Sequence, residues 1–416
     1  MKVEVKVMEK GKRAVVLGRG RSGRAAAALL ARLGVEAVTL EGADAFPAGE
    51  FAYVVVSPGI ALSHPWIAAA RAAAIPLMSE LELGCRALRE RGVKLLAVTG
   101  SKGKSSVVKI VADAINLAGG RAVPCGNYGK SVSEVALEDG WEWAVVEVSS
   151  FMMETTNLPG DTFEAAAILN LQEDHLDRHG DVATYHRLKR LLLTMTPTGY
   201  DYSQVFADVD WSEGFWRRCL NRLFRMADAS ALQGSYFDNA ILRTNGIAAA
   251  QLMYEAKVPF RAIRRAFREF VPLPHRMNLV ADLGGVRYID DSKATSVAAL
   301  VAGVTMAAEG RSVRLVAGGQ AKGDDPKIAI SVLTGRVKKV YIIGQCAEKF
   351  LAAWQTAVDC EICGTLERAV EKAAQEAEKG ETVLLSPGTA SFDQFRSFEE
   401  RGEVFAALAK KEGQKK

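Results

Sequence analysis

The segment Thr99-Gly100-Ser101-Lys102-Gly103-Lys104-Ser105-Ser106 carries the strongest chemical signal in the chain. A glycine loop between a buried strand and a helix lets successive backbone N–H groups surround a phosphate, at the helix end whose dipole favours negative charge. At this spacing Lys104 reaches the β- and γ-phosphates of a nucleotide and Ser105 offers its hydroxyl to Mg²⁺. The full GxxxxGK[ST] pattern would place glycine where Val98 stands, so the loop is a shortened variant. A chance glycine turn is the plain alternative. The apolar strand before the loop and the helix after it favour phosphate binding.

Other stretches offer chemistry of their own. Gly18-Arg19-Gly20-Arg21-Ser22-Gly23 has the GxGxxG spacing, with Glu41 about 20 residues on, as in dinucleotide sites. Its two arginines suit a diphosphate other than NAD, and a packing turn is the alternative. Glu173-Asp174-His175-Leu176-Asp177-Arg178-His179 is dense in metal ligands. Oxygens with one imidazole suit Mg²⁺ or Mn²⁺; His175, Asp177 and His179 together would suit zinc; a solvated loop is the bland reading. Glu147 ends another apolar strand, where a carboxylate can hold a cation beside bound ATP. Cys360-Glu361-Ile362-Cys363 is a lone CxxC and is expected to be two ordinary thiols. Three polar clusters, Asp290–Thr295, Gly318–Gly323 and Ser386–Ser391, each end a strand-like run, and the carboxyl ends of parallel strands are where ligands bind.

The elements that must position these residues alternate in type, which predicts an α/β fold with parallel sheets. Strands are expected at Arg13–Leu17, Glu36–Leu40, Tyr53–Val56, Lys94–Val98, Trp143–Val148, Ala165–Leu169, Val286–Ile289, Val313–Ala317, Val340–Ile343 and Thr382–Leu385. Helices are expected at Arg24–Leu33, Pro65–Ala74, Val107–Ala118, Val182–Leu193, Gly246–Glu255 and Phe260–Phe270. Trp66, Trp143 and Trp354 fall within such elements and are expected in the core. Pro272-Leu273-Pro274 breaks the last helix and makes a linker. Thr198–Gly234 has no readable period.

The 416 residues suffice for two to three domains, and 49% apolar with 25% charged residues excludes a disordered chain. A net charge of +4 gives no field that would imply a nucleic-acid partner. Six scattered cysteines, an N-terminus that alternates charge with valine, and no long apolar run predict a reduced, cytoplasmic protein without a membrane segment.

Taken together, these stretches resemble the ATP-dependent Mur ligases. The resemblance rests on Ser57-Pro58-Gly59-Ile60, Thr99–Ser106, Gly126-Asn127, Glu147-Val148-Ser149-Ser150-Phe151, Asp174–Arg178, Leu273–Arg276, Asp291–Thr295, Gly318–Lys322 and Ser386–Phe398. Within the family, Leu273-Pro274-His275-Arg276 followed by Asp291-Ser292-Lys293-Ala294-Thr295, with Phe398-Glu399-Glu400-Arg401-Gly402, is similar to the D-glutamate-adding branch. The resemblance implies three domains: a Rossmann-like 1–90 for the UDP substrate, a P-loop ATPase-type 91–272 for ATP, and a Rossmann-like 273–416 for the amino acid. It implies that a monomer uses ATP and Mg²⁺ to add D-glutamate to UDP-N-acetylmuramoyl-L-alanine through an acyl phosphate. A related ligase with another amino acid or acceptor is the alternative, and a non-catalytic nucleotide-binding regulator is the rival outside the enzymes.

Roles follow position by position from the resemblance. Gly100, Ser101, Lys102, Gly103, Lys104, Ser105 and Ser106 hold ATP with Asn245, Arg276 and Asp291. Lys104, Glu147, His175 and Lys189 are catalytic; Ser105, Glu147, His175 and a carbamylated Lys189 hold metal. An unmodified Lys189 would read as a surface lysine on an amphipathic helix. Ser22 and Asn127 contact the nucleotide sugar, and Lys293, Thr295, Lys322, Ser391 and Phe398 the amino acid. The chain departs from the family at Lys102, Ser106, Ile241-Leu242 and Gly388-Thr389, and is short between Glu41 and Ser57 and across Thr198–Gly234.

Overall fold

Runs of β-branched and small apolar residues make strands that are buried on both faces, as parallel sheets covered by helices require. In the computed structural model these strands assemble, among the described residues, into three sheets. The structure describes residues 10–203, 232–239, 241–321 and 323–413.

The first sheet contains β1 (Arg13–Leu17), β2 (Glu36–Leu40), β3 (Tyr53–Val56) and β4 (Leu77–Ser79), all parallel, in the order β2-β1-β3-β4. The second contains β5 (Lys94–Thr99), β6 (Ala122–Gly126), β7 (Trp143–Glu147), β8 (Ala165–Ile168) and β9 (Gly199–Asp201), again parallel, in the order β6-β7-β5-β8-β9. The third contains β10 (Asn278–Leu283), β11 (Val286–Asp290), β12 (Val313–Gly318), β13 (Val337–Ile343), β14 (Asp359–Gly364) and β15 (Thr382–Leu385), in the order β10-β11-β15-β12-β13-β14. Among the described residues, only β10 with β11 is an antiparallel pair in it.

The chain divides into two compact units, Met1–Phe270 and Val271–Lys416. Within the first, one core runs from sheet to sheet. Val16, Leu30 and Val55 of the first sheet and its helix pack with Leu81 and Leu88 of the helix Glu80–Glu90, and these with Val132 of the helix Val132–Ala136 and with Ala97 and Val146 of the second sheet. The opposite face of the second sheet is covered by the helices Lys104–Leu117, Arg243–Glu255 and Phe260–Glu269. In the second unit, separate cores cover the two faces of its sheet.

The structure corrects some of the expected bounds. The helix expected over Val182–Leu193 ends at Arg190 and tightens into a 3₁₀ turn, Leu191–Met195. The helix expected from Gly246 begins at Arg243. Five strands had no counterpart in the sequence pattern: β4, β6, β9, β10 and β14. Trp66 and Trp354 are buried and Trp143 half-buried. Cys360 and Cys363 are free thiols on β14, and residues three apart on a strand point to opposite faces. Among the described residues, no helix is long and apolar enough to cross a membrane.

Candidate active site

The carboxyl end of β5 is the centre of the site in the first unit. Thr99 closes the strand, its hydroxyl donating to the Val148 carbonyl at 2.8 Å. The chain then turns through Gly100 and Gly103, both with positive φ (149° and 85°), conformations that L side chains rarely adopt. Asn170 braces this loop: its side-chain oxygen accepts from the Lys102 amide at 2.8 Å, and its amide donates to the Lys102 carbonyl at 3.0 Å. The Ser101 hydroxyl meets Tyr185 at 3.0 Å. Gly103 caps the helix Lys104–Leu117, whose first turn has no acidic residue to occupy its N–H groups. Ser105 and Ser106 are buried there. A side chain at Gly103 would collide with the amide of Asn245, which is itself buried.

Two lysines converge on the same loop. Lys104 Nζ donates to the carbonyls of Gly100 (2.8 Å) and Ser101 (3.1 Å). Lys189 Nζ, on the helix Val182–Arg190 capped by Asp181, donates to Gly100 at 3.0 Å. Lys189 is 2% exposed, which overturns the picture of a surface lysine. Burial, and then the charge of Lys104, push its ammonium down to about 6.

Glu147 ends β7 beside Val98 of β5 and is 2% exposed. One carboxylate oxygen accepts from the Asn127 amide at 2.8 Å; the other is buried with no hydrogen-bond partner. Such an orphaned anionic oxygen is costly unless something positive meets it. The Asp174 carboxylate lies 3.5 Å from Lys102 and accepts from the His175 amide at 3.0 Å. His175 has a left-handed backbone (φ 56°), and its ring meets the edge of Phe151 at 4.8 Å. His179 turns instead to Ser150 and Glu154. Among the described residues no three His, Cys, Asp or Glu could hold a metal together; the side chain of Asp177, one member of the zinc alternative, lies outside the described residues.

On the first sheet, Ser22 is half-buried in the opening turn of the helix Arg21–Arg32. Arg19 lies 3.7 Å from the Glu41 carboxylate, an ion pair between two exposed side chains.

The second unit gathers its own cluster at strand ends. Asp291 is buried; Ser386 donates to its carboxylate at 2.9 Å and the Met277 amide at 3.3 Å. Burial pushes its carboxyl up to about 7. Lys293 Nζ lies 4.0 Å from the Phe398 ring centre, and the Thr295 amide donates to the Lys293 carbonyl. Arg276 is placed by its amide, which donates to the Asn278 side chain at 2.8 Å. Ser391 is buried. Lys322 lies outside the described residues.

Arg401 is the residue that sequence reasoning missed. It is 1% exposed and donates to the carbonyls of Ser292, Thr389 and Ala390 and to the Ser292 hydroxyl, tying two of the polar clusters together. Its place in the Phe-Glu-Glu-Arg-Gly run was visible; its burial was not.

Parallel sheets, a glycine loop opening onto a helix, and lysines folded onto that loop define an α/β protein built on a P-loop-type unit. Two family models match it: the Mur ligase middle domain over residues 98–249, and the Mur ligase glutamate ligase domain over 275–389. UDP-N-acetylmuramoylalanine–D-glutamate ligase of Myxococcus xanthus is 35% identical, over 96% of this chain and 98% of the relative. The enzyme of the same name from Gloeobacter violaceus is 36% identical, over 96% and 94%. The MurF ligase of Thermotoga maritima, solved in complex with ADP, aligns with a TM-score of 0.58 over 100% of this chain and 97% of that one; at 14% identity the likeness is one of fold. The chain belongs to the Mur ligase family, in the branch whose curated members are UDP-N-acetylmuramoylalanine–D-glutamate ligases.

Proposed function

We propose that this chain is an ATP-dependent amide ligase that joins D-glutamate to UDP-N-acetylmuramoyl-L-alanine in the cytoplasm, in peptidoglycan precursor synthesis. The observation that carries the reading is the convergence of Lys104 and Lys189 on the β5 loop, with Glu147 ending the neighbouring strand β7. A carboxylate is a poor acyl donor because oxide would have to leave. Transfer of the γ-phosphoryl group of ATP to it makes an acyl phosphate. The amine of D-glutamate then bonds to the carbonyl carbon, and the bond to phosphate breaks. Little covalent work falls to side chains, so positioning and charge neutralisation supply the catalysis.

The loop amides from Gly100 to Ser106 and Lys104 hold the phosphates, with Asn245 on the adenine side. Glu147 fits a cation through its orphaned oxygen, and the family resemblance adds the Ser105 hydroxyl and His175 as further ligands. Bound Mg²⁺ would offset charge on the phosphates. Ser22 and Asn127 bind the nucleotide sugar. In the second unit Arg276 and Asp291 serve the nucleotide, and Lys293, Thr295, Lys322, Ser391 and Phe398 the amino acid. The presence of one sheet in each of 1–90, 91–272 and 273–416 supports three functional segments, with Rossmann-like first and third.

Lys189 is proposed to act as a carbamate. Its lowered pKa leaves much of the amine neutral near pH 7, the form that adds carbon dioxide. Lys189→Ala is expected to be inactive and partly restored by added formate or acetate; no restoration would remove the carbamate from the scheme.

Phosphate release with ATP, Mg²⁺ and UDP-N-acetylmuramoyl-L-alanine, compared among D-glutamate, L-glutamate and no amino acid, tests the whole reading. Release that requires the nucleotide sugar and D-glutamate is expected. Turnover with another amino acid alone would keep the ligase chemistry and replace the substrate, and no turnover with any amino acid would favour a nucleotide-binding regulator.

A further inference from the structure

We propose that Arg178 is a positioning residue that holds the nucleotide-sugar side of the site in register with His175, an inference that rests on the ligase reading above. Arg178 sits on the short helix Leu176–His179, directly after His175, with its side chain 14% exposed. Its guanidinium forks onto Glu154, Nε to one carboxylate oxygen at 3.0 Å and Nη2 to the other at 2.6 Å. The same Nη2 donates to the Ile60 carbonyl at 2.8 Å and lies 3.5 Å from that of Pro58. The charge also lies 5.0 Å from the centre of the Phe151 ring, which meets the His175 ring in a T-shaped arrangement.

One side chain therefore joins three segments at strand ends. The Ser57–Ile60 turn follows β3 and packs on the first glycine loop: the Ser57 amide donates to the Leu17 carbonyl at 3.2 Å, and its side chain lies against Gly18 and Gly23. Phe151 and Glu154 follow β7, the strand that ends in Glu147. His175 keeps a left-handed backbone that a non-glycine residue holds only when its surroundings fix it. An arginine can bind a carboxylate and two carbonyls at once because its donors form a rigid planar fork, which the point charge of lysine lacks. None of these partners is in the middle of a core, so loosening them displaces loops before it loosens the fold.

The test is steady-state kinetics of the full chain with ATP, Mg²⁺, D-glutamate and UDP-N-acetylmuramoyl-L-alanine, with thermal melting alongside. Arg178→Lys is expected to raise KM for the nucleotide sugar about tenfold or more and to leave KM for ATP within about twofold. Glu154→Gln keeps the side-chain shape, weakens the fork, and is expected to show the same selective rise; it also decides the matter if the lysine variant does not fold. Wild-type constants in both variants, or ATP and nucleotide-sugar constants rising together, overturn the proposal. If wild-type protein turns over no D-glutamate, calorimetric binding of UDP-N-acetylmuramoyl-L-alanine decides instead. Selective weakening in the variants supports Arg178, equal binding overturns it, and no binding by the wild type overturns both readings.

Discussion

Asp291 illustrates how burial can outweigh the hydrogen bonds that a carboxylate accepts. In an unfolded chain its carboxyl ionises near the ordinary value of 3.8, whereas in the folded protein burial holds the proton until about pH 7. Across that window the folded state binds the extra proton, so the stability of the second unit falls as pH rises from about 4 to about 7, by at most about 4 kcal/mol. Asp291→Asn keeps an acceptor for the Ser386 hydroxyl and removes the ionisation. Urea unfolding of this variant is expected to show a flatter dependence between about pH 4 and pH 7 than the wild type, which loses stability over that range. An equally steep loss in both would mean that the group ionises normally. Lys189 obeys the same physics with the opposite charge: burial disfavours the ammonium and pushes its pKa down.

Elements place these groups, and Gly103 is where two of them touch. It begins the helix Lys104–Leu117 in a left-handed conformation, and a Cβ there would strike the Asn245 side chain of the helix Arg243–Glu255. Gly103→Ala is expected to cost about 1–3 kcal/mol and to weaken ATP binding, seen as a lower melting temperature and a smaller upward shift on adding ATP. A wild-type ATP shift in that variant would contradict the assigned loop. The strand–loop–helix unit itself was legible because its strand is central and apolar from Leu95 to Val98, and because glycine and lysine stand at spacings with a mechanism. The strands that left no readable pattern, β4, β6, β9, β10 and β14, are all at sheet edges. An edge strand has one neighbour and one exposed flank, so its residues need not form a continuous apolar run; β10 and β14 are largely half-buried or exposed, and β6 contains Pro124. Long-range partners were equally out of reach: nothing in the spacing of Glu154, Arg178 and Ile60 says that they meet, and nothing local marks Arg401 as buried.

At the scale of the molecule, the cores decide what can stand alone. The second unit buries both faces of its six-stranded sheet with its own helices. A fragment of residues 271–416 is therefore expected to fold and melt cooperatively, by circular dichroism, without the rest of the chain. Residues 91–270 alone are expected to melt lower and less sharply, because removing residues 10–90 takes away Leu81 and Leu88 and strips Ala97, Val132 and Val146 of their packing in the common core. Cooperative melting of that fragment at the temperature of the whole chain would show the common core to be dispensable. The same continuity bears on how such chains exchange parts by recombination. A crossover near residue 270 swaps a self-contained module. One near residue 90 splits a packed interface between two parents, so residues 10–90 would have to travel together with their packing partners around Val132 and Val146, and the first sheet inherits the second as a companion.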